Sequence, residues 1–285
     1  RLSLVGSEMC IRDSSSIVNS IENRQLNLDE IEFSIDDTNT VKTLDSALLE
    51  KNELKQLFAI DLLWNLPLNP WKNSLEFLFT KGSPPIQRAI LELTWNKPDI
   101  ISDQLIIYKI KKEDDISPHA LMCANDRGLK NDITKLDNYL NHENNSLRIA
   151  YAVTLLSNDK ESKISEELIN RIHKSKIVEN QIELIGFLKR HPHLLSSIYI
   201  TNYLQNGNIE IKNEMLRFLI NNPNISYFNH IFNLMEKPAT EILATKSLLA
   251  LNKKETYSKL SDIFSASGTK IKSKKLIIKL LHHFI

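Results

Sequence analysis

Between Glu53 and Pro98 two kinds of apolar pattern follow one another. From Glu53 to Asn65 the apolar positions are Leu54, Leu57, Phe58, Ala59, Ile60, Leu62 and Leu63, with Leu66 just beyond. They point in nearly every direction around a helix, which predicts a helix packed on more than one side. Leu66-Pro67 predicts its end, because a residue before proline is pushed out of the α region. Asn69-Pro70 predicts the next start, with Asn as N-cap and Pro in the first turn. The helix that follows carries Trp71, Leu75, Leu78 and Phe79, with Lys72, Asn73 and Glu76 between them, so one face meets water. Gly82 predicts its stop. Ser83-Pro84 opens a third helix, Ile86 to Asn96, which is again rich in buried-type residues.

The same alternation recurs along the chain. Openings of the apolar helix fall near Leu54, Ile86, Pro118, Leu147, Val178, Ile209, Thr240 and Ile271, in steps of 29 to 32 residues. Turn chemistry stands between them at Asn96-Lys97-Pro98, Ser117-Pro118, Asn144-Asn145, His191-Pro192, Asn222-Pro223 and Lys237-Pro238. A fixed period of this size predicts an all-α chain, an α-solenoid of antiparallel helix pairs, with about eight repeats of about 31 residues. The Trp, Gly, Tyr and Pro pattern of tetratricopeptide units is missing, and so is the Thr-Pro-Leu-His-like turn of ankyrin units. Ser83-Pro84-Pro85-Ile86-Gln87-Arg88-Ala89-Ile90 and Asn145-Ser146-Leu147-Arg148-Ile149-Ala150-Tyr151-Ala152 put an aliphatic residue, then Arg or Gln, before an Ala-containing helix. This pattern resembles short HEAT repeats.

The ends read differently. Ser3 to Ser14, SLVGSEMCIRDS, matches one translated frame of a transposon-based sequencing adapter, so residues 1–14 are set aside as an artefact expected to be disordered. Met9 and Cys10 go with them. Residues 15–40 are expected to form a short helix at Ile17–Leu26 and an acidic linker, Asn27–Asp37, laid on the first repeat. Residues 41–285 are the expected solenoid. The natural chain is expected to continue beyond both ends, because Ile285 falls in an apolar helix with no polar capping unit.

Of 285 residues, 42% are apolar and 25% charged, which suits a soluble globular chain. No apolar run reaches the length a membrane span needs. Charge is uneven: Ser15–Thr40 holds six acids and one base, whereas Lys246–Ile285 holds nine lysines and two acids. The lysines at 270, 272, 274, 275 and 279 alternate with apolar residues and read as a solvated helix face. Lys111-Lys112-Glu113-Asp114-Asp115 reads as a solvated turn. Cys123, the one cysteine outside the adapter stretch, reads as core packing.

The pattern singles out no catalytic, cofactor-binding or metal-ligating residue. His191-Pro192-His193 lacks acids or cysteines at ligand spacing, and the adjacent His282 and His283 diverge by about 100° on a helix. The six glycines form no phosphate loop. Trp64, Trp71 and Trp95 fall together in the first two repeats and read as filling between helices.

The stretch LNLDEIEFSIDD followed by LDSALLEKNELKQLFAIDLLWNLPLNPWKNSLEFLFTKGSPPIQRAILEL resembles the cytosolic HEAT region of bacterial transporters of the ATP/ADP translocase type, relatives of the major facilitator group. There an acidic linker precedes a repeat of the form Ala-Leu-x-Leu-Leu-x-x-Leu-Pro, which Ala59 to Pro67 fits. The resemblance implies a cytoplasmic, non-catalytic scaffold that needs no cofactor. It would bind a protein partner, or another domain of its own chain, rather than nucleic acid. Two alternatives stand beside it. One is a free-standing HEAT protein of the lyase or maturation-factor kind. The other is a HEAT-like DNA glycosylase, which would place aromatic and acidic residues in a groove lined with Lys and Arg.

Overall fold

A computed structural model of the chain describes residues 38–129, 139–158, 162–266 and 271–282. Among these residues all regular structure is helical. The adapter-like stretch, the expected helix at 17–26, the linker at 27–37 and His283 lie outside them. The chain divides into two units, after Asp137. The first holds α1 (Thr38–Leu48), α2 (Glu53–Leu62), α3 (Lys72–Lys81), α4 (Pro84–Leu93), α5 (Asp103–Lys111) and α6 (Ser117–Asp126). The second holds α7 (Asn145–Ser157), α8 (Lys163–His173), α9 (Val178–Leu188), α10 (Ser197–Asn206), α11 (Ile209–Asn221), α12 (Phe228–Met235), α13 (Glu241–Ala250), α14 (Lys253–Ser265) and α15 (Ile271–His282).

In the first unit α1/α2, α3/α4 and α5/α6 are antiparallel pairs, and α2, α4 and α6 lie side by side as a row. In the second, α8/α9, α10/α11 and α12/α13 pair in the same way, while α7, α9, α11 and α13 form the row. The row helices and α15 begin at residues 53, 84, 117, 145, 178, 209, 241 and 271, each within two residues of the opening expected from the apolar pattern. Side-chain caps set several of these starts. Asn52, Asn144 and Asn208 accept hydrogen bonds from the backbone N–H groups of Leu54 (3.1 Å), Leu147 (3.2 Å) and Ile211 (2.9 Å), each contributing about 1 kcal/mol.

The repeat is also written in its tertiary hydrogen bonds. Trp71 Nε1 donates to the Val41 carbonyl, Trp95 Nε1 to Asp126, and Ser247 Oγ to the Leu216 carbonyl, at sequence separations of 30 and 31 residues. A glutamine near the start of three row helices reaches back across the turn within the pair. Gln56 donates to the Leu48 carbonyl, Gln87 to that of Gly82, and Gln181 to those of Ile172, His173 and Ser175. Each side-chain amide therefore supplies a donor to carbonyls left open at the end of the preceding helix. Trp71 and Tyr227 stand at the N-caps of α3 and α12, both buried and both preceded by a 3-10 turn.

Gly82 and Gly207 stand at the tight turns of the pairs α3/α4 and α10/α11. A Cβ built at either would lie 2.5 Å from the carbonyl oxygen four residues earlier and 2.9 Å from Cγ2 of the isoleucine four residues later. Gly82→Ala and Gly207→Ala should each lower stability by about 1–3 kcal/mol, because the nearest obstruction is backbone. Gly186, inside α9, has only Glu214 Oε1 at 3.9 Å, so Gly186→Ala should gain up to about 1 kcal/mol. Urea unfolding of the three variants tests the ordering.

Three local expectations need correction. α2 ends at Leu62 rather than at Leu66-Pro67, because the backbone tightens into i to i+3 bonds at Leu63, Trp64 and Leu66 before the proline acts. Asn69 does not cap a helix. A 3-10 turn at Asn69–Trp71 precedes α3, and the N-cap position falls on Trp71. Ser83 is the N-cap of α4, but its hydroxyl is turned away and donates to Glu53 at 2.5 Å.

Candidate functional site

Among the described residues no group of His, Cys, Asp and Glu is placed to hold a metal ion. His191 is the N-cap of the 3-10 turn Pro192–Leu194 after α9 and His193 lies within it, with rings perpendicular and centroids 6.2 Å apart. Cys123 is fully buried in α6, its Sγ 3.4 Å from the Trp95 carbonyl. Trp71 and Trp95 are buried as filling between helices. Trp64 is 53% exposed, contrary to expectation. It follows the end of α2, in the tightened turn that carries its ring outward. In the expected solvated turn Asp114 is engaged, accepting from the Ile116 N–H at 3.1 Å and the Ser117 hydroxyl at 3.2 Å.

The row α7–α9–α11–α13 carries polar side chains that join its first two helices. Asn145 Nδ2 donates to Asn180 at 2.6 Å and Ser146 Oγ to Glu183 at 2.6 Å, so α7 and α9 are cross-linked by polar side chains. Arg148 donates to Asn145 at 2.5 Å, and Arg217 pairs with Glu214 at 2.8 Å on α11. Glu179, Glu210, Arg217 and Lys246 on three successive row helices are exposed. Ile209 and Ile242, 56% and 72% exposed, lie near the N-termini of α11 and α13.

At the C-terminal ends of α9 and α11 a cleft of ≈ 560 Å³ opens between the connections 192–197 and 221–227. Ile200, Phe218 and Leu219 supply apolar wall, and Asn221, Asn224 and Ser197 supply amides and a hydroxyl. Asn222 braces the cleft by donating to the carbonyls of Lys189 (2.8 Å) and Phe218 (3.2 Å). Burial pushes the Tyr227 phenol pKa up. No residue lining the cleft bears a charged side chain. This chemistry suits hydrogen bonding to amides and packing against apolar side chains, as an extended peptide offers.

Two buried polar clusters escape the sequence pattern. The Lys109 ammonium lies 2.6 Å from Gln87 Oε1 and 5.5 Å from the Phe79 ring centroid, and burial lowers its pKa. His173 lies 2.7 Å from the Tyr203 hydroxyl and stacks on Tyr199 with ring centroids 3.8 Å apart. Burial pushes its pKa down to about 4. Their only sequence signal is a polar residue at a helix position whose equivalents one repeat away are apolar: Leu78 for Lys109 and Leu204 for His173.

Comparison with protein-family models, with curated proteins and with solved structures gives no match to this chain. What stands is the architecture, a helical repeat of antiparallel pairs. Among the described residues no helix is long and apolar enough to cross a membrane.

Proposed function

We propose that this chain is a HEAT-like scaffold that acts by binding rather than by catalysis, and that the α7–α9–α11–α13 row with its adjoining uncharged cleft receives a protein partner or another domain of the same polypeptide. The observation that carries the reading is the row itself. Polar side chains tie α7 to α9 at 2.6 Å, and Glu179, Glu210, Arg217 and Lys246 are exposed along the same row of packed helices, a surface built before any partner arrives. Such preorganisation lowers the ordering cost of association. Helical repeats offer extended surfaces of this kind. In the finer form implied by the residues Ala59 to Pro67, the chain is the cytosolic arm of a nucleotide-transporter-like membrane protein.

A photoreactive amino acid at Glu210 or Lys246 in cells should give an adduct with one discrete protein. The same probe at Asn202 or Asn229, exposed on α10 and α12 outside the row, should give none. Equal labelling from both sets, or no adduct from the row, contradicts the proposal. The transporter form further requires that the adduct partner carry membrane spans or lie within one longer polypeptide.

A further inference from the structure

In the first unit α1, α3 and α5 follow one another at a step of 31 residues. Leu44, Leu75 and Ile106 are buried equivalents, as are Leu48, Phe79 and Ile110. The exposed equivalents are Ser46, Phe77 and Tyr108, the two aromatics standing 56% and 49% open. Lys109 of α5, with its ammonium over the Phe79 ring, shows that α5 continues alongside α3. The same three helices and the turn after α5 carry exposed Lys42, Lys72, Lys81, Lys111 and Lys112. The Lys112 ammonium lies 5.0 Å from the Tyr108 ring centroid, and Lys42, Lys72, Lys81 and Lys111 make no ion pair among the described residues. Four acids of these helices and turns are engaged: Asp45 accepts from the Ser74 hydroxyl, Glu50 pairs with Lys55 at 2.8 Å, Asp103 pairs with Arg127 at 2.9 Å, and Asp114 accepts from the Ile116 N–H and the Ser117 hydroxyl. Half-buried Glu76 on α3 and exposed Glu113 and Asp115 in the turn after α5 stand beside them.

We propose that this face is the docking surface for the chain's own residues Leu28–Asp37. Charge complementarity is the first argument. The segment carries Asp29, Glu30, Glu32, Asp36 and Asp37 and no base, against five lysines. The second is pattern: Leu28, Ile31, Phe33 and Ile35 are interleaved with those acids, as the two open aromatics are interleaved with lysines. The third is reach. The segment joins α1 directly at Thr38. Ten extended residues span about 33 Å, while α5, two helices over, lies about 20 Å from α1 at ordinary interhelical spacing. Docking is therefore effectively intramolecular, at a concentration no free acidic peptide matches.

The test is zero-length carbodiimide coupling of the whole 285-residue chain, read by mass spectrometry, with a mixture of isotope-labelled and unlabelled chains. The Glu50–Lys55 pair serves as the internal standard. Isopeptide links should join Asp29–Asp37 to Lys72, Lys81, Lys111 or Lys112 within one chain. Lys42, close in sequence, is left out of the readout. Their yield should fall about fivefold or more near 0.5 M salt, where screening shortens to about 4 Å, and likewise in the variant carrying Lys81→Gln, Lys111→Gln and Lys112→Gln. Three results overturn the proposal. One is coupling only to Lys51, Lys55 or Lys97. Another is coupling mainly between labelled and unlabelled chains, which makes the occupant a second copy. The third is no coupling to the segment while a single-stranded oligonucleotide shields these lysines from modification, which makes the occupant a nucleic acid.

Discussion

An Arg127→Ala chain should lose about 3–5 kcal/mol of stability in its first unit, the largest effect expected of any single side chain. The Arg127 side chain is only 4% exposed. Its Nε donates to the Trp95 carbonyl, one Nη to that of Thr94, and the other to that of Ile101, all at 2.7 Å. The last nitrogen also meets Asp103 Oδ1 at 2.9 Å. One guanidinium thus ties the carbonyls just beyond α4 to the connection after it and to the first residue of α5. Removing it takes a charged donor from three carbonyls at once, although that of Thr94 keeps the Lys97 N–H at 2.9 Å and that of Trp95 keeps Cys123 Sγ at 3.4 Å, and it leaves the part-exposed Asp103 carboxylate to water. Arg127→Lys should rescue little, because an ammonium cannot hold that planar fork. Asp103 is 43% exposed, so Asp103→Ala should cost only about 0.5–1 kcal/mol. Urea unfolding followed by tryptophan fluorescence separates the two. If Asp103→Ala costs as much as Arg127→Ala, the ion pair rather than the carbonyl staple carries the effect.

The second large effect is of pH, in the second unit. His173 is 5% exposed, and burial holds its folded pKa at about 4 against an ordinary 6.5. Between those values the unfolded chain binds the proton and the folded chain does not. Stability is therefore full above pH 6.5 and declines as pH falls towards 4. The shift corresponds to a loss of about 3 kcal/mol once pH 4 is reached. Protonation would also disturb the Tyr203 contact at 2.7 Å. His173→Phe keeps a ring for Tyr199 but leaves the Tyr203 hydroxyl bare, so it should be less stable at pH 7.5 and much flatter between pH 6.5 and 4.5. His119, whose pKa is pushed down to about 3 by burial and by the Arg88 charge, adds a similar slope in the first unit. Ring-proton NMR of His173 gives the direct readout. A midpoint near 6.5 in the folded chain would remove the basis for the prediction.

The helix-pair period was legible because it is carried by many apolar residues at once. An error at one position leaves the other openings in register, and each row-helix start fell within two residues of its expected place. What depends on a single side chain's surroundings was not legible. Trp64 and Trp95 are 31 residues apart and look alike in sequence. Trp95 is covered and bonded to Asp126, its equivalent in the next repeat, while Trp64 faces outward. Lys109 stands two residues before the charged turn Lys111–Asp115 with nothing in the sequence to set it apart, and only the fold brings Gln87 and Phe79 to it. Arg127 sits in an ordinary polar run, Asn125-Asp126-Arg127-Gly128, and only the fold brings the three carbonyls to it. The surface read as interacting was the least legible part. Its cross-repeat bonds need α7 and α9 side by side, and sequence alone gives the spacing of those helices without their contact.

The measurement that tests the account most directly is deletion of residues 178–208, one period of the second unit. The cut joins Ile177 to Ile209, so that α11 takes the place of α9 beside α7. If each repeat depends on its neighbours alone, the shortened chain remains helical by circular dichroism and unfolds cooperatively. A chain that loses its helical signal, or unfolds without a cooperative transition, would contradict the repeat architecture on which the proposed binding surface rests.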